Sequence, residues 1–117
     1  MNKNYIFEGI LQENLKINFK NKEAIFLHIN YRDNYFFINS KNKRWLNEIK
    51  FYFKFIEKYN FRIQIIFFQN YCKIKIEDRE LKYYYQVDPS YFESITYTND
   101  IKLIETNNNN NNVTFKE

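Results

Sequence analysis

Apolar and polar residues alternate over most of this chain, as they do in strands that bury one face of a sheet. The alternation is clear at residues 15–19, 25–29 and 61–67, and it returns at residues 101–103. In the second run it places Ile25, Leu27 and Ile29 on the inner face. Short polar segments separate the runs, among them Asn21-Lys22, Asp33-Asn34 and Asp88-Pro89-Ser90. Many short strands at this spacing predict an all-β sandwich or barrel.

One segment, residues 41–59, follows a longer period. Its apolar positions recur at the spacing of an amphipathic helix, at Trp45, Ile49, Tyr52, Phe53 and Ile56. Periodicity alone therefore leaves two structures open for this segment: a helix packed on a sheet, or strand and loop. The strands on both sides favour strand and loop, with almost no helix in the chain.

The length of 117 residues fits one domain, and the apolar fraction of 44% is enough for a core. Abundant Asn, Lys, Ile, Phe and Tyr indicate an AT-rich genome, which accounts for much of the net charge of +4. Because lysines are interleaved with Asp and Glu, the charge does not by itself indicate a nucleic-acid partner.

Two features of the sequence favour a cytoplasmic protein: it shows no targeting signal, and it has a single cysteine. We find no signal peptide and no apolar stretch long enough to cross a membrane. The single cysteine, Cys72, shares a strand face with Ile74 and Ile76, so we expect a buried, inert thiol. Export without a signal peptide stays open as a further option.

The C-terminal end has a different composition from the rest of the chain. Residues 107–112 are all asparagine, and a polar low-complexity tract cannot bury enough surface to offset the entropy lost on ordering. We therefore expect one domain at residues 4–106 and a disordered tail at residues 107–117.

Polar side chains share one face of the predicted strand around residue 30. His28, Asn30 and Arg32 lie at i, i+2 and i+4, so on a strand all three project from the same side. Leu27 and Ile29 point to the other side. Taken alone, a histidine in such a position is more often structural than functional.

A second polar cluster follows, formed by Asn39, Trp45, Glu48 and Lys50. Each member has an ordinary explanation, since a lone tryptophan is usually in a core and a Glu–Lys pair is usually a solvated face. The ordered set is more informative than its members, because it joins a strip of hydrogen-bonding groups to a single indole.

This ordered set resembles the signature of the galectin family. The family has His-x-Asn-x-Arg on one strand, an Asn on the next, and then Trp-x-x-Glu-x-Arg. The matching segments here are His28-Ile29-Asn30-Tyr31-Arg32, Phe36-Phe37-Ile38-Asn39-Ser40 and Trp45-Leu46-Asn47-Glu48-Ile49-Lys50. The chain departs from the family at Tyr31, usually Pro, and at Lys50, usually Arg. The connections after Arg32 and after Asn39 are also shorter than usual.

The resemblance implies a two-sheet antiparallel β-sandwich of the galectin type, which binds β-galactosides and catalyses nothing. His28 and Arg32 would reach the axial O4 of galactose, and the Trp45 indole would cover the apolar face of the sugar. Asn39 and Glu48 would hold O6, and Glu48 would also orient Arg32 and meet the second sugar. Lys50 would reach that second sugar with a point charge. The carbohydrate-binding residues implied are His28, Asn30, Arg32, Asn39, Trp45, Glu48 and Lys50.

The partners implied are β-galactoside-containing glycans, such as lactose-like disaccharides, glycoproteins or glycolipids. A second copy of the chain is a further candidate partner, in a homodimer. The resemblance implies no cofactor, no metal, no nucleic acid and no membrane insertion.

Three other functions remain as alternatives. The first is a galectin fold that has lost sugar binding and acts as an interaction module, for which Tyr31 and Lys50 leave room. The second is a basic α+β domain that binds nucleic acid, with a helix at residues 41–59. The third is an enzyme, although the sequence has no evident nucleophile, metal-ligand spacing or glycine-rich phosphate loop.

Overall fold

A computed structural model describes residues 3–11, 14–56, 60–98, 101–106 and 113–116. Within these ranges most of the chain is strand, and its one helix is a short 3₁₀ turn at Pro89–Tyr91. The strands are β1 Lys3–Gly9, β2 Leu15–Lys20, β3 Ala24–Arg32, β4 Tyr35–Asn42, β5 Arg44–Trp45, β6 Ile49–Tyr52, β7 Phe61–Phe67, β8 Tyr71–Ile76, β9 Arg79–Tyr84, β10 Ser94–Tyr97, β11 Ile101–Thr106 and β12 Val113–Lys116.

The strands form two sheets that pack face to face. The first has the order β11-β1-β7-β8-β9, and the second has the order β12-β10-β2-β3-β4 with β5 and β6 both paired to β4. Pairing is antiparallel throughout, except between β10 and β12. Aromatic contacts join the inner faces, as where the rings of Tyr5 on β1 and Phe19 on β2 lie 5.2 Å apart. The predicted antiparallel sandwich is confirmed.

Alternation along the strands builds the core between the sheets. On β7, Phe61, Ile63 and Ile65 are buried, while Arg62 between them is exposed. On β8, Cys72 is fully buried, and this burial raises the pKa of its thiol to about 12. The expected burial of Cys72 is therefore confirmed, and the raised pKa disfavours the thiolate, which is the reactive form of the thiol.

The expected alternation is wrong at one place on β3. Phe26 and Leu27 are both buried, and the register with β4 shifts between Ile25 and His28. Such a β-bulge sets two residues against one on the partner strand, which neither propensity nor period reveals. Beyond the bulge the alternation resumes, so His28 and the residues that follow it keep the predicted facing.

Residues 41–56 form strand and loop, as expected, and no helix occurs in this part of the described chain. The residues with helical spacing do not share a buried face. Phe53 is buried, whereas Trp45 is 46% exposed and Ile56 is 96% exposed. Helical periodicity was misleading here because most of these apolar side chains are on the surface.

The C-terminal residues are described only in part. Residues 107–112 and 117 lie outside the described ranges, so the expected disorder of the tail and the domain boundary at residue 106 stay predictions. Residues Val113–Lys116 form β12, which runs parallel to β10. No helix in the described ranges is long and apolar enough to cross a membrane.

Candidate functional site

The polar strip predicted from the sequence lies on the outer face of the second sheet. Residues directly opposite one another on antiparallel strands have side chains on the same face. His28 on β3 lies opposite Asn39 on β4, and Arg32 lies opposite Tyr35. The hairpin between β3 and β4 therefore brings the two halves of the signature together.

A groove of about 370 Å³ opens on this face, a size near the lower end of small-molecule sites. Six of the seven predicted residues line it, together with Phe37, which the sequence had not singled out. The lining residues are His28, Asn30, Arg32, Phe37, Asn39, Trp45 and Glu48. Lys50 lies beside the groove on β6, opposite Phe37 on β4.

His28 is held in a defined tautomer by a residue of the neighbouring strand. Its Nδ1 lies 2.6 Å from Oδ1 of Asn18. An amide oxygen can only accept, so Nδ1 is the protonated nitrogen and its N–H donates the hydrogen bond. Burial of the ring, with a smaller contribution from the Lys16 charge, lowers the pKa of His28 to about 4. The imidazole is therefore neutral at pH 7, and its Nε2 is a hydrogen-bond acceptor.

Asn30 and Arg32 present further groups to the groove. Oδ1 of Asn30 is buried and has no hydrogen-bond partner among the described residues, which is uncommon for a buried polar atom. The guanidinium of Arg32 is exposed and lies over the ring of Phe37, with Cζ 4.4 Å from the centroid.

The implied pairing of Glu48 with Arg32 is absent from the described part of the chain. The only ion pairs found there are between Arg62 and Glu8 and between Lys73 and Glu80. Glu48 is exposed and does not contact the Arg32 guanidinium, which lies over the Phe37 ring instead. Its carboxylate oxygens and the donors of the arginine are both free to meet a ligand.

Trp45 forms one wall of the groove. Its side chain is 46% exposed, and its ring centroid is 4.8 Å from that of His28, with the planes at 52°. Nζ of Lys41 lies 5.2 Å from the indole centroid. The common alternative for a lone tryptophan, a place in the core, is wrong here.

Asn39 is a structural support of the site and is hardly accessible from the groove. Only 5% of Asn39 is exposed, and its Oδ1 accepts a hydrogen bond from the backbone N–H of Ser40 at 2.8 Å. Its Nδ2 donates to the carbonyl of Leu46 at 3.3 Å. The amide thus fixes the loop between Trp45 and Glu48, a role that the resemblance had not implied.

Gln86 clamps the same loop from the connection that follows β9. Its Oε1 accepts from the backbone N–H of Asn47, and its Nε2 donates to the Asn47 carbonyl, both at 2.9 Å. Nε2 also donates to the hydroxyl of Tyr83 at 2.7 Å, and that hydroxyl lies 2.6 Å from Oγ of Ser40. A chain of hydrogen bonds therefore runs from the core to the backbone next to Glu48.

Two of the departures from the family pattern, the short connection after Arg32 and the tyrosine at position 31, have local explanations. The β3–β4 turn consists of Asp33 and Asn34 alone, with φ of 54° and 66°, a conformation that both residues tolerate. Tyr31, in place of the usual proline, is buried and donates from its hydroxyl to the carbonyl of Phe53 at 2.7 Å. It faces the core, away from the groove.

Sequence reasoning missed three residues that shape the site: Asn18, Phe37 and Gln86. A weak signal existed for Asn18. The short β2–β3 turn at Asn21-Lys22 pairs β2 with β3, and Asn18 lies on the polar face of β2, opposite His28. Phe37 was hidden among many aromatic residues. Gln86 had no local signal, since it lies 39 residues from Asn47 in the chain.

Comparisons with known proteins agree with this geometry. The family model described as galactoside-binding lectin matches residues 3–108. Sheep galectin-11, in complex with glycerol, is 16% identical, with 90% of this chain and 85% of that one covered and a TM-score of 0.68. Galectin LEC-6 of Caenorhabditis elegans is 13% identical, with 89% and 78% covered and a TM-score of 0.69.

A third structure, CG-16, a homodimeric agglutinin from chicken liver, is 20% identical, with 89% of this chain and 82% of that one covered and a TM-score of 0.64. A comparison of the sequence with curated proteins gave no match. At these identities the structural likenesses establish the fold, and the family model, which spans most of the chain, establishes the family. The chain belongs to the galactoside-binding lectins, the galectin family that its sequence motif resembles.

Proposed function

We propose that this protein is a lectin that binds β-galactosides without covalent chemistry, in the groove on the outer face of the second sheet. One observation carries the proposal: His28, Asn30, Arg32, Asn39, Trp45 and Glu48, which are scattered over 21 positions of the sequence, line one groove. Membership of a lectin family supports the same conclusion.

The hydrogen-bonding groups suit the axial O4 of galactose. A sugar hydroxyl is both a donor and an acceptor, so it needs one partner of each kind. Nε2 of His28 is an acceptor, because Nδ1 is engaged by Asn18. Arg32 supplies donors from its exposed guanidinium, and the unpartnered Oδ1 of Asn30 is a second acceptor on the same strand.

The Trp45 indole suits the apolar face of the same sugar. In galactose the C–H groups at C3, C4 and C5 lie together on one ring face, because O4 is axial. An exposed flat aromatic ring can cover this patch and displace water from it. In glucose O4 is equatorial, so the hydroxyl would not point at His28 and Arg32. The pair of contacts therefore selects galactose.

The expected affinity is modest. About six hydrogen bonds at a net of about 1 kcal/mol each, and about 1 to 2 kcal/mol from the indole, are opposed by an association cost of several kcal/mol. The remainder corresponds to a Kd in the millimolar to micromolar range. Such sites gain strength when several act together.

A second copy of the chain is the further partner that we propose, because two grooves in a homodimer would raise the avidity for surfaces that carry many glycans. The CG-16 agglutinin from chicken liver is described as homodimeric. Sedimentation velocity at several protein concentrations tests this directly. The buried free thiol of Cys72 is compatible with the reducing cytoplasm that we propose as the location.

Non-catalytic binding is part of the proposal. In the described ranges the ring of His28 contacts Asn18 and Trp45, with no carboxylate or nucleophile bonded to it. These ranges also hold no group of three potential metal ligands. The groove therefore offers shape and hydrogen bonds in place of an acid–base pair.

A titration with lactose, followed by the fluorescence of the single tryptophan, tests the proposal. Lactose should change the Trp45 emission with a saturating curve, whereas maltose should not. Arg32→Ala should abolish the response, and Arg62→Ala on the opposite sheet should leave it unchanged. A protein that ignores lactose would be an interaction module with this fold, and an equal response to maltose would refute the selection of galactose.

A further inference from the structure

Positive charge is concentrated around the groove. Lys16 lies opposite Asn30 on the neighbouring strand, Lys41 lies over the Trp45 ring, and Lys50 lies opposite Phe37. With Arg32 they make four cations in or beside the groove, against two carboxylates, that of Glu48 in its lining and that of Asp33 in the β3–β4 turn. The whole chain has 18 basic and 14 acidic residues, so a ratio of four to two exceeds what composition supplies.

None of these four cations forms an ion pair within the part of the chain that the structure describes. Asp33, next to Arg32 in the β3–β4 turn, is exposed and does not pair with it. Neighbouring like charges without counterions repel one another and attract an anion from solution. The surface around the groove therefore carries positive charge that no side chain in the described ranges neutralises.

Two of the cations share an aromatic floor. Cζ of Arg32 lies 4.4 Å from the centroid of Phe37, and Nζ of Lys50 lies 5.5 Å from the same centroid and 4.7 Å from that of Tyr35. A cation held over a ring is held weakly in comparison with a charge-assisted hydrogen bond to an anion. Both heads can therefore turn to one anionic group without breaking a strong contact.

This charged end, formed by Arg32, Phe37 and Lys50, lies away from Trp45 along the strands. The indole contacts His28, which lies opposite Asn39, and Asn39 is two residues from Phe37 on β4, roughly 7 Å at the usual rise of a strand. A galactose on the indole with its O4 at His28 would use only part of the Arg32 donor fork and would leave Lys50 to the next unit of the glycan. An anion that binds between Arg32 and Lys50 therefore belongs to the second unit.

We propose that the groove prefers β-galactosides whose second unit carries an anionic group, a sulfate or a carboxylate, which binds between Arg32 and Lys50. The inference rests on the proposed function, since it needs galactose at Trp45. It adds the charge of the ligand, which the signature residues alone do not specify. Screening by salt should weaken the preference, because both cations are exposed.

Two galactosides with an open-chain second unit provide a matched test. Lactobionate carries a carboxylate on that unit, and lactitol is its neutral counterpart. Lactobionate should bind about fivefold more tightly than lactitol at ~20 mM salt, with the ratio falling towards one at ~300 mM. Lactose sulfated at O6 of glucose, compared with lactose, provides the sulfate arm, and whichever arm shows the larger ratio identifies the preferred anion.

Variants separate a local site from overall charge. Lys50→Gln should reduce the lactobionate-to-lactitol ratio to near one, and Lys50→Arg should keep it. Lys22→Gln, in the exposed β2–β3 turn, removes the same charge away from the groove and should leave the ratio unchanged. Equal loss of the ratio in the Lys22 and Lys50 variants would overturn the proposal.

The outcomes also distinguish this inference from the proposed function. Equal binding of charged and neutral ligands at low salt would refute the anionic preference and leave galactoside binding intact. Failure of all four galactosides to bind would refute both.

Discussion

Acidification from about pH 7.5 to about pH 5.5 tests whether His28 stays neutral in the groove. The pKa of His28 is lowered to about 4, first by burial of the ring and then by Lys16. At pH 5.5 an ordinary histidine, with a pKa of about 6.5, would be only about 9% neutral, whereas a pKa of 4 leaves about 97% neutral. Lactose affinity should therefore be unchanged over this range, because Nε2 remains an acceptor.

The same shift makes folding stability depend on pH. Between pH 6.5 and pH 4 the unfolded chain binds a proton at His28 and the native protein does not, so acid favours unfolding. This contribution to stability is complete above the pKa of the unfolded state and is lost as the pH falls towards 4. Since the ring is partly exposed, we expect a loss of about 1 to 2 kcal/mol, less than the full shift would give.

The assay is simplified by composition, because His28 is the only histidine. Its ring nitrogens can be followed by ¹⁵N–¹H spectra through a pH titration, together with urea unfolding at each pH. Lys16→Gln should raise the pKa of His28, and His28→Gln should remove this part of the pH dependence of stability. A measured pKa near 6.5, or lactose binding that weakens about tenfold by pH 5.5, would refute the assignment of a neutral acceptor.

Three further substitutions test separate parts of the site. Trp45→Ala should abolish lactose binding and cost only about 1 to 2 kcal/mol in urea unfolding, because the side chain is 46% exposed. A cost above about 3 kcal/mol would indicate a core role. Gln86→Ala should weaken lactose binding several-fold, because its amide holds the Asn47 backbone. The melting temperature should change little, because the Tyr83 hydroxyl that also contacts Gln86 keeps its bond to Oγ of Ser40; unchanged affinity would contradict the role of Gln86. Lys50→Arg should tighten lactose binding by about 0.5 to 1.5 kcal/mol through a planar donor fork, and weaker binding would place Lys50 away from the second sugar.

The sandwich was predictable because most strands bury one face and expose the other. Alternation at residues 61–67 corresponds to β7, residue for residue. Prediction failed where the physical rule was violated locally. The bulge that buries both Phe26 and Leu27 depends on tertiary packing, and the helical spacing from Trp45 to Ile56 arose from apolar residues that the fold leaves exposed.

The candidate site was predictable as a set of residues and less so as a set of roles. His28, Asn30 and Arg32 share a face because strand geometry requires it. The orientation of each group depends on partners distant in the chain, which a sequence pattern does not contain. Asn18 selects the tautomer of His28, and Gln86 positions the loop before Glu48.

The most direct test of the central claim follows two side-chain signals during one lactose titration. The chain has one tryptophan and one histidine, so the indole Nε1–H of Trp45 and Nε2 of His28 give single, assignable ¹⁵N resonances. If galactose lies on the indole with its O4 at the imidazole, both resonances should shift and yield the same Kd, in the millimolar to micromolar range. If neither resonance shifts at lactose concentrations well above the millimolar range, the result would contradict galactoside binding in this groove.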